Sequence, residues 1–325
     1  MCPFTPKYLR FTDDLIPALA EIASRSGGEP CTPAKVSYEI HMPGIDPSRD
    51  VVVLADEANA PVAYAWMHIH GVDGIEQGLL LARVPSAHEL YEQLRREIVL
   101  WAARRMQEVT DQTGRRVSII GRHLGQDDED ERTFLETVGF RLARSYHRMR
   151  LDPAAKAPDD SLPDGLEYLH GPQLSDAAEF VAMFNETWID HFGFHPLTEA
   201  VFRHDLENDP DYDGDLDMIL KGSDGRFVGF SYCSLTDDEP REGEVVIIGI
   251  RRGFRGRGLG RALLGHSICH LRARGAAQIE LIVDTDNSTP AEPLYQSAGF
   301  STIATHRRYL LDHDGIIRLA TLNAC

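Results

Sequence analysis

Between Arg251 and Arg261 the chain reads Arg-Arg-Gly-Phe-Arg-Gly-Arg-Gly-Leu-Gly-Arg, a positive cluster in a protein of net charge −18. It follows an apolar run, Glu244 to Ile250, and precedes a stretch of helical periodicity that starts at Leu259. A strand that ends in a glycine-rich turn and opens a helix offers several free backbone N–H groups to one anion, and the helix dipole adds to the attraction. Gly256, Gly258 and Gly260 let the main chain approach phosphates without an intervening Cβ. Arg255, Arg257 and Arg261 are placed to add charge-assisted hydrogen bonds. The pattern is not the dinucleotide fingerprint, which wants GxGxxG and an acidic residue about 20 positions on. Nor is it a Walker A loop, because no Gly-Lys-Ser/Thr follows.

The elements that must hold this turn follow from periodicity. In the second half, Leu166 to Leu169 reads as a short strand and Ser175 as the cap of a helix with Phe180, Val181, Phe184 and Trp188 on its apolar face. A helix over Thr198–Leu206 precedes a hairpin, Met218–Leu220 and Val228–Tyr232 around Ser223-Asp224-Gly225. The helix after the turn runs to about Arg274, with Gly275 to end it. Then come a strand over Ile279–Val283, a helix over Pro290–Ala298, a strand over Thr302–Leu311 and a tail, His313 to Leu322, that reads as a hairpin return.

The first half repeats parts of this plan. Phe134-Leu135-Glu136-Thr137-Val138-Gly139-Phe140 parallels Leu294-Tyr295-Gln296-Ser297-Ala298-Gly299-Phe300, and each is followed by a strand ending in Leu-Asp. The hairpin Val51–Asp56 and Val62–Trp66 parallels the later one. The expected organisation is a tandem duplication of one α/β unit: residues 1–152, a Pro-, Ala- and Asp-rich linker over 153–164, and residues 165–325.

Arg255-x-x-Gly258-x-Gly260 after a strand resembles the pyrophosphate-binding motif of the GNAT superfamily of acyl-CoA-dependent N-acetyltransferases. Val283-Asp284-Thr285-Asp286-Asn287, Ala291, Leu294-Tyr295 and Ala298-Gly299-Phe300 resemble its second motif, in the right order and at a typical distance. The resemblance is clear from about Leu216 to Leu311 and implies a mixed α/β fold in two tandem GNAT-like domains. It also implies an acetyl-CoA-dependent transfer to the amine of a small molecule. The Arg255–Arg261 turn, Leu259 included, would hold the pyrophosphate. Main-chain groups of Ile248, Gly249 and Ile250 would hold the pantetheine arm, with Asn287 near it. Tyr295 stands at the general acid's position. A glutamate in a Gly-Glu-Val context serves as base in tandem members, which points to Glu244, with Glu242 and Glu280 as rivals. Trp188, His191 and Phe194 lie where the superfamily lines its acceptor site. The first half departs from the pattern: Leu135 stands in place of Tyr295, and Arg83-Val84-Pro85-Ser86-Ala87-His88-Glu89-Leu90 replaces the glycine turn. It is expected to have lost catalysis.

Composition narrows the rest. The acidic balance argues against nucleic-acid binding, and acidic clusters around Asp209–Asp217 and Asp237–Glu239 suit a cationic amine. No apolar run reaches the roughly 20 residues of a membrane span. The first residues do not read as a signal peptide, and five scattered cysteines without a CxxC pair read as free thiols, so a cytoplasmic monomer or homodimer is expected. His266 and His270 share a helix face at the i, i+4 spacing of a metal pair, but the sequence shows no third ligand. They are read as packing or surface residues, and no metal is expected.

Overall fold

The computed structural model describes residues 6–27, 30–125, 128–171, 176–237, 239–286 and 291–321. Two compact units emerge. The first comprises residues 1–143, 208–210 and 308–325; the second comprises 144–207 and 211–307. The division therefore falls at 143/144, inside a strand, and not at the 153–164 segment.

The first unit runs β1 (Lys7–Leu9), α1 (Ile16–Gly27), α2 (Pro33–Ile40), α3 (Pro47–Asp50), β2 (Val51–Ala55), β3 (Pro61–Val72), β4 (Ile75–Arg83), α4 (Tyr91–Thr113), β5 (Val117–Leu124) and α5 (Glu129–Thr137). β1 to β4 pair antiparallel in sequence order, and β4 pairs parallel with β5. One sheet face packs on α4 through Ala63, Ala65, Met67, Leu94, Ile98 and Met106. The other face packs on α1 and α2 through Leu19, Val36, Ile40, Tyr64 and Trp66.

The next strand, β6 (Arg141–Leu151), begins in the first unit but places residues 144–151 in the second. The second unit continues with β7 (Leu166–His170), α6 (Ala177–Trp188), α7 (Glu199–Asn208), β8 (Met218–Gly222), β9 (Phe227–Leu235), β10 (Glu242–Ile250), α8 (Leu259–Ala273), β11 (Gln278–Asp284) and α9 (Glu292–Ser297). Its sheet order is β6-β11-β10-β9-β8-β7. Only β10 and β11 are parallel among the printed pairs of this sheet. Leu259, Leu263, Leu264, Ile268 and Leu271 of α8 pack on Val228, Cys233, Val245, Ile279 and Leu281. Met183 of α6 packs on the opposite face against Ile219, Phe227 and Phe230.

The last strand, β12 (Phe300–Leu311), starts in the second unit and returns residues 308–311 to the first, where β12 neighbours β5. The two Leu-Asp strands recognised as equivalent in sequence are thus exchanged: each completes the sheet of the other half.

The tail differs from expectation. It forms α10 (His313–Thr321), not a hairpin. The Asp312 carboxylate accepts the Gly315 N–H at 2.9 Å, and Ile316 and Leu319 bury themselves among the α4 residues at helical spacing. The residue expected to cap α6, Ser175, lies outside the described residues. Among the described residues no helix is long and apolar enough to cross a membrane.

Candidate acyl-transfer site in the second unit

The strand before the turn is built to come apart from its neighbour. β10 pairs with β11 at only four positions, Glu242↔Gln278 to Val245↔Leu281. Beyond them β11 stays with β6 as far as Asp284↔Tyr146, while Ile247–Ile250 stay with β9. The β9–β10 register shifts between Val245 and Ile247, a bulge that bends the strand at the point of separation. From there the β11-facing edge of β10 meets no strand among the described residues. Val246 and Ile282, beside the opening, are 38% and 37% exposed.

Ile248 and Ile250 turn toward the α8 side, against its core. Gly249 lies under α6: a Cβ there would sit 2.4 Å from the Thr187 methyl and 3.0 Å from the Phe230 ring. Its side chain is absent for packing, independently of any ligand.

The turn itself contains a short helical bend over Arg252–Phe254, then Gly256 and Gly258 at φ +76° and +80°. Left-handed backbone at two alternate positions favours glycine, and at both a Cβ would enter open space. Gly258 caps α8, and its carbonyl accepts from Arg261 and Ala262 N–H. For the N–H groups of residues 256, 257, 258, 259 and 260, no acceptor is recorded among the described residues. Five consecutive donors at a helix head form an anion cradle.

The arginines divide the labour differently from the sequence reading. Arg255 turns inward: Nε donates to the Ile250 carbonyl at 2.9 Å and Nη2 to the Thr187 carbonyl at 3.1 Å. It clamps the end of β10 to the end of α6 and so positions the turn. Arg251 does likewise, bridging Glu179 and Glu186 of α6. Arg257 and Arg261 are exposed, held only by the Gly253 carbonyl and by Ser297 Oγ respectively. These two retain donors for an anion.

The α9 helix stands against the same place. A Cβ on Gly260 would contact Leu294 at 3.7 Å and Ile250 at 3.8 Å, and Arg261 reaches Ser297 at 2.8 Å. Tyr295 is buried in the α8 core, edge-to-face with Phe300 at 6.2 Å. Burial pushes its phenol up to about 12, so it carries its proton at neutral pH. Asn287 lies outside the described residues.

Glu244 sits one residue before the last β10–β11 pair, level with Glu280. Burial raises its carboxyl above the ordinary value; Arg148 opposes that rise and Glu280 adds to it. The rival carboxylates are differently placed. Glu280 is buried and engaged by both Arg148 and Arg150, whereas Glu242 is exposed at the strand's start. Of the three, Glu244 alone combines burial with the absence of a direct ion pair among the described residues.

The aromatic residues form a run along α6 and past its end. Phe184 stacks on Trp188 with centroids 5.8 Å apart, and Trp188 stacks on His191 at 3.7 Å. The indole Nε1 is buried with no acceptor. Burial lowers the His191 imidazole below its ordinary range, against the pull of Asp284 at the end of β11. Phe194 N–H closes the turn on the His191 carbonyl at 3.1 Å. Sequence reasoning missed Arg144, which lies over the Phe192 ring at 4.8 Å and 3.6 Å from Asp286. It belongs to the first half of the chain by position, and no local signal tied it to this site.

Comparison with known proteins agrees with this geometry. Residues 178–300 match the acetyltransferase (GNAT) family. The chain is 31% identical over 174 residues to a mycothiol acetyltransferase of Propionibacterium freudenreichii subsp. shermanii, covering 53% of this chain and 55% of that one. It is 32% identical over 185 residues to one of Streptomyces bingchenggensis, covering 55% and 58%. The matches thus span little more than half the length of these relatives. In fold the chain is similar to a GCN5-related N-acetyltransferase from Sphaerobacter thermophilus, with TM-score 0.65, 20% identity and coverage of 94% and 95%. It is also similar to a tandem GNAT protein from the clavulanic acid biosynthesis pathway, with TM-score 0.64, 13% identity and coverage of 95% and 99%. The second half of the chain carries a domain of the acetyltransferase (GNAT) family.

Proposed function

We propose that the second unit transfers an acetyl group from acetyl-CoA to the amine of a small molecule by direct attack, and that the first unit is non-catalytic. The observation that carries this reading is the run of five unmatched N–H groups at the head of α8, beside the point where β10 and β11 separate. Residues 256–260, with Arg257 and Arg261, bind the pyrophosphate. The free edge of Ile248, Gly249 and Ile250 hydrogen-bonds the pantetheine arm and polarises the thioester carbonyl. Asn287 is assigned to the same arm from the family motif alone.

Glu244 takes the proton that the amine must lose, directly or through water. Its raised carboxyl pKa brings it closer to the range a base needs at neutral pH. The amine nitrogen bonds to the acetyl carbon, the carbon–sulfur bond breaks, and the Tyr295 hydroxyl protonates the departing thiolate. The products are an amide and free CoA. Trp188, His191 and Phe194 line the acceptor side. The name of the relatives makes the amine that acetylation would turn into mycothiol the first acceptor to test, and the acidic clusters of the chain favour a cationic one.

The test is calorimetry with acetyl-CoA followed by a thiol-release assay over that amine, amino sugars and amino-acid derivatives. Sub-millimolar binding with amine-dependent thiol release supports the proposal. Binding without release for any amine reduces the unit to an acyl-CoA binder; no binding removes the proposal altogether.

A further inference from the structure

The helix α8 presents His266 and His270 one turn apart, and the fold adds a third imidazole that the sequence did not reveal. His170, the last residue of β7, brings its Nε2 to 3.2 Å from Nε2 of His266. The His170 ring lies 5.2 Å from each of the other two rings. Asp160 Oδ2 is 2.9 Å from His266 Nδ1, and Tyr168 stacks on the same ring at 3.9 Å, 9° from parallel.

Partners that can only accept settle the tautomers. His266 Nδ1–H donates to the Asp160 carboxylate, so its Nε2 lone pair faces His170. His270 Nε2–H donates to the Asp215 carbonyl at 2.9 Å, which leaves its Nδ1 with the lone pair. Burial, with the nearby His266 and His270, lowers the His170 pKa and keeps that ring neutral as well. Three neutral imidazoles in contact, one oriented by a carboxylate through its far nitrogen, have the donor set of a transition-metal centre with its outer shell in place. The spacing fits too. At a Zn–N distance of about 2.05 Å, two nitrogens 3.2 Å apart subtend roughly 103° at the metal, close to tetrahedral.

We propose that His170 and His266 bind a divalent transition cation of the zinc class through Nε2, with His270 Nδ1 as third ligand, solvent completing the shell, and Asp160 orienting His266. Oxygen-seeking cations such as magnesium do not suit this set. The cation would join three pieces of the second unit: the end of β7, helix α8, and the 153–164 segment. That segment already lies along the unit, where Ala155 O accepts from Arg272 at 2.9 Å and Asp160 O accepts from the Tyr168 hydroxyl at 2.8 Å.

The full chain, stripped with a chelator, is titrated with zinc chloride by calorimetry, then again as His170→Gln and Asp160→Asn. His170 has no other side-chain hydrogen bond, so the first variant tests the ligand without dismantling the fold. The expected result is one zinc equivalent that His170→Gln abolishes, that Asp160→Asn weakens about 10–100-fold, and that excess magnesium does not displace. Equal zinc stoichiometry and affinity in wild type and His170→Gln overturns the proposal, as does no uptake at sub-millimolar zinc. Cobalt(II) titration of the wild type reads the same site independently of any variant. Intense visible bands of a four-coordinate centre support it, and the pale spectrum of six-coordinate cobalt overturns it.

Discussion

The strand-to-helix corner occurs twice in this chain, and the two copies solve it in opposite ways. In the first unit, β4 reaches α4 through Arg83–Leu90, and the corner satisfies itself. Leu90 N–H donates to His88 Nδ1 at 3.1 Å, Tyr91 N–H to the His88 carbonyl, and His88 N–H to the Pro85 carbonyl. In the second unit the corresponding N–H groups are left without a partner. The strands differ as well. β3 and β4 keep one register from Tyr64↔Arg83 to Val72↔Ile75, whereas β9 and β10 carry a bulge. Both parallel pairs nonetheless part after four positions. The splayed strands are therefore a property of the fold, and the bulge and open helix head are properties of one copy.

Side chains tell the same story. Each splayed strand carries a glycine beneath the following helix, Gly78 near Met106 and Gly243 near Leu271. The next residue, facing the other way, is Leu79 in the first unit and Glu244 in the second. Leu135, buried in the first core, stands where Tyr295 stands in the second. A copy that satisfies its own donors, and has leucines for acid and base, has the shape of the fold without its chemistry.

The contrast can be broken at each of these points. The largest effect is expected from Glu244→Gln, which should lower kcat/KM at neutral pH by roughly 10²–10⁴-fold, with partial recovery at high pH where the amine is already neutral. A related pH profile follows from burial. Because the Glu244 carboxyl is raised and must be deprotonated to act, the acid limb of kcat/KM should lie above the ordinary carboxylate range. Arg148 holds that carboxyl down, so Arg148→Met should move the limb to higher pH; an unmoved limb assigns the base elsewhere. Tyr295→Phe should cost about one to two orders of magnitude in turnover, with acetyl-CoA affinity kept in calorimetry. Gly258→Val forces a β-branched residue to φ +80° and fills the cradle; acetyl-CoA affinity should fall about tenfold or more, near the 1–2 kcal/mol cost of left-handed backbone. The smallest effect belongs to the first unit. His88→Ala should lower stability by about 1 kcal/mol in thermal melts, the usual worth of a helix cap, and leave acetyl-CoA stoichiometry at one. A second equivalent of acetyl-CoA, in wild type or variant, would erase the distinction between the copies.

Local chemistry was the legible part. The hairpins, the glycine turn and the helix after it could be read from the sequence because periodicity and backbone freedom are encoded within a few residues. The bulge at Val245/Ile247 could not, because it is a mismatch between two strands and no single residue announces it. The role of Arg255 was misread for a related reason. Arginine beside glycine suggests an anion, but its guanidinium is spent on the Ile250 and Thr187 carbonyls, one of them 68 positions away. His170 escaped notice because it lies 96 positions from His266. The tail was read as a strand since Ile316, Ile317 and Leu319 suit either period, and only packing against α4 decides between them.

The exchange of β6 and β12 has a consequence for how the protein is made. A chain leaving the ribosome delivers β1 to β5 first, yet the strand that lies beside β5 ends at Leu311. During most of synthesis the edge of β5 stays open, and an open edge is a template for pairing with another chain. The first-made unit is therefore the last to close. Translation order and folding order run in opposite senses, and a chain cut anywhere between the halves leaves a sheet edge exposed.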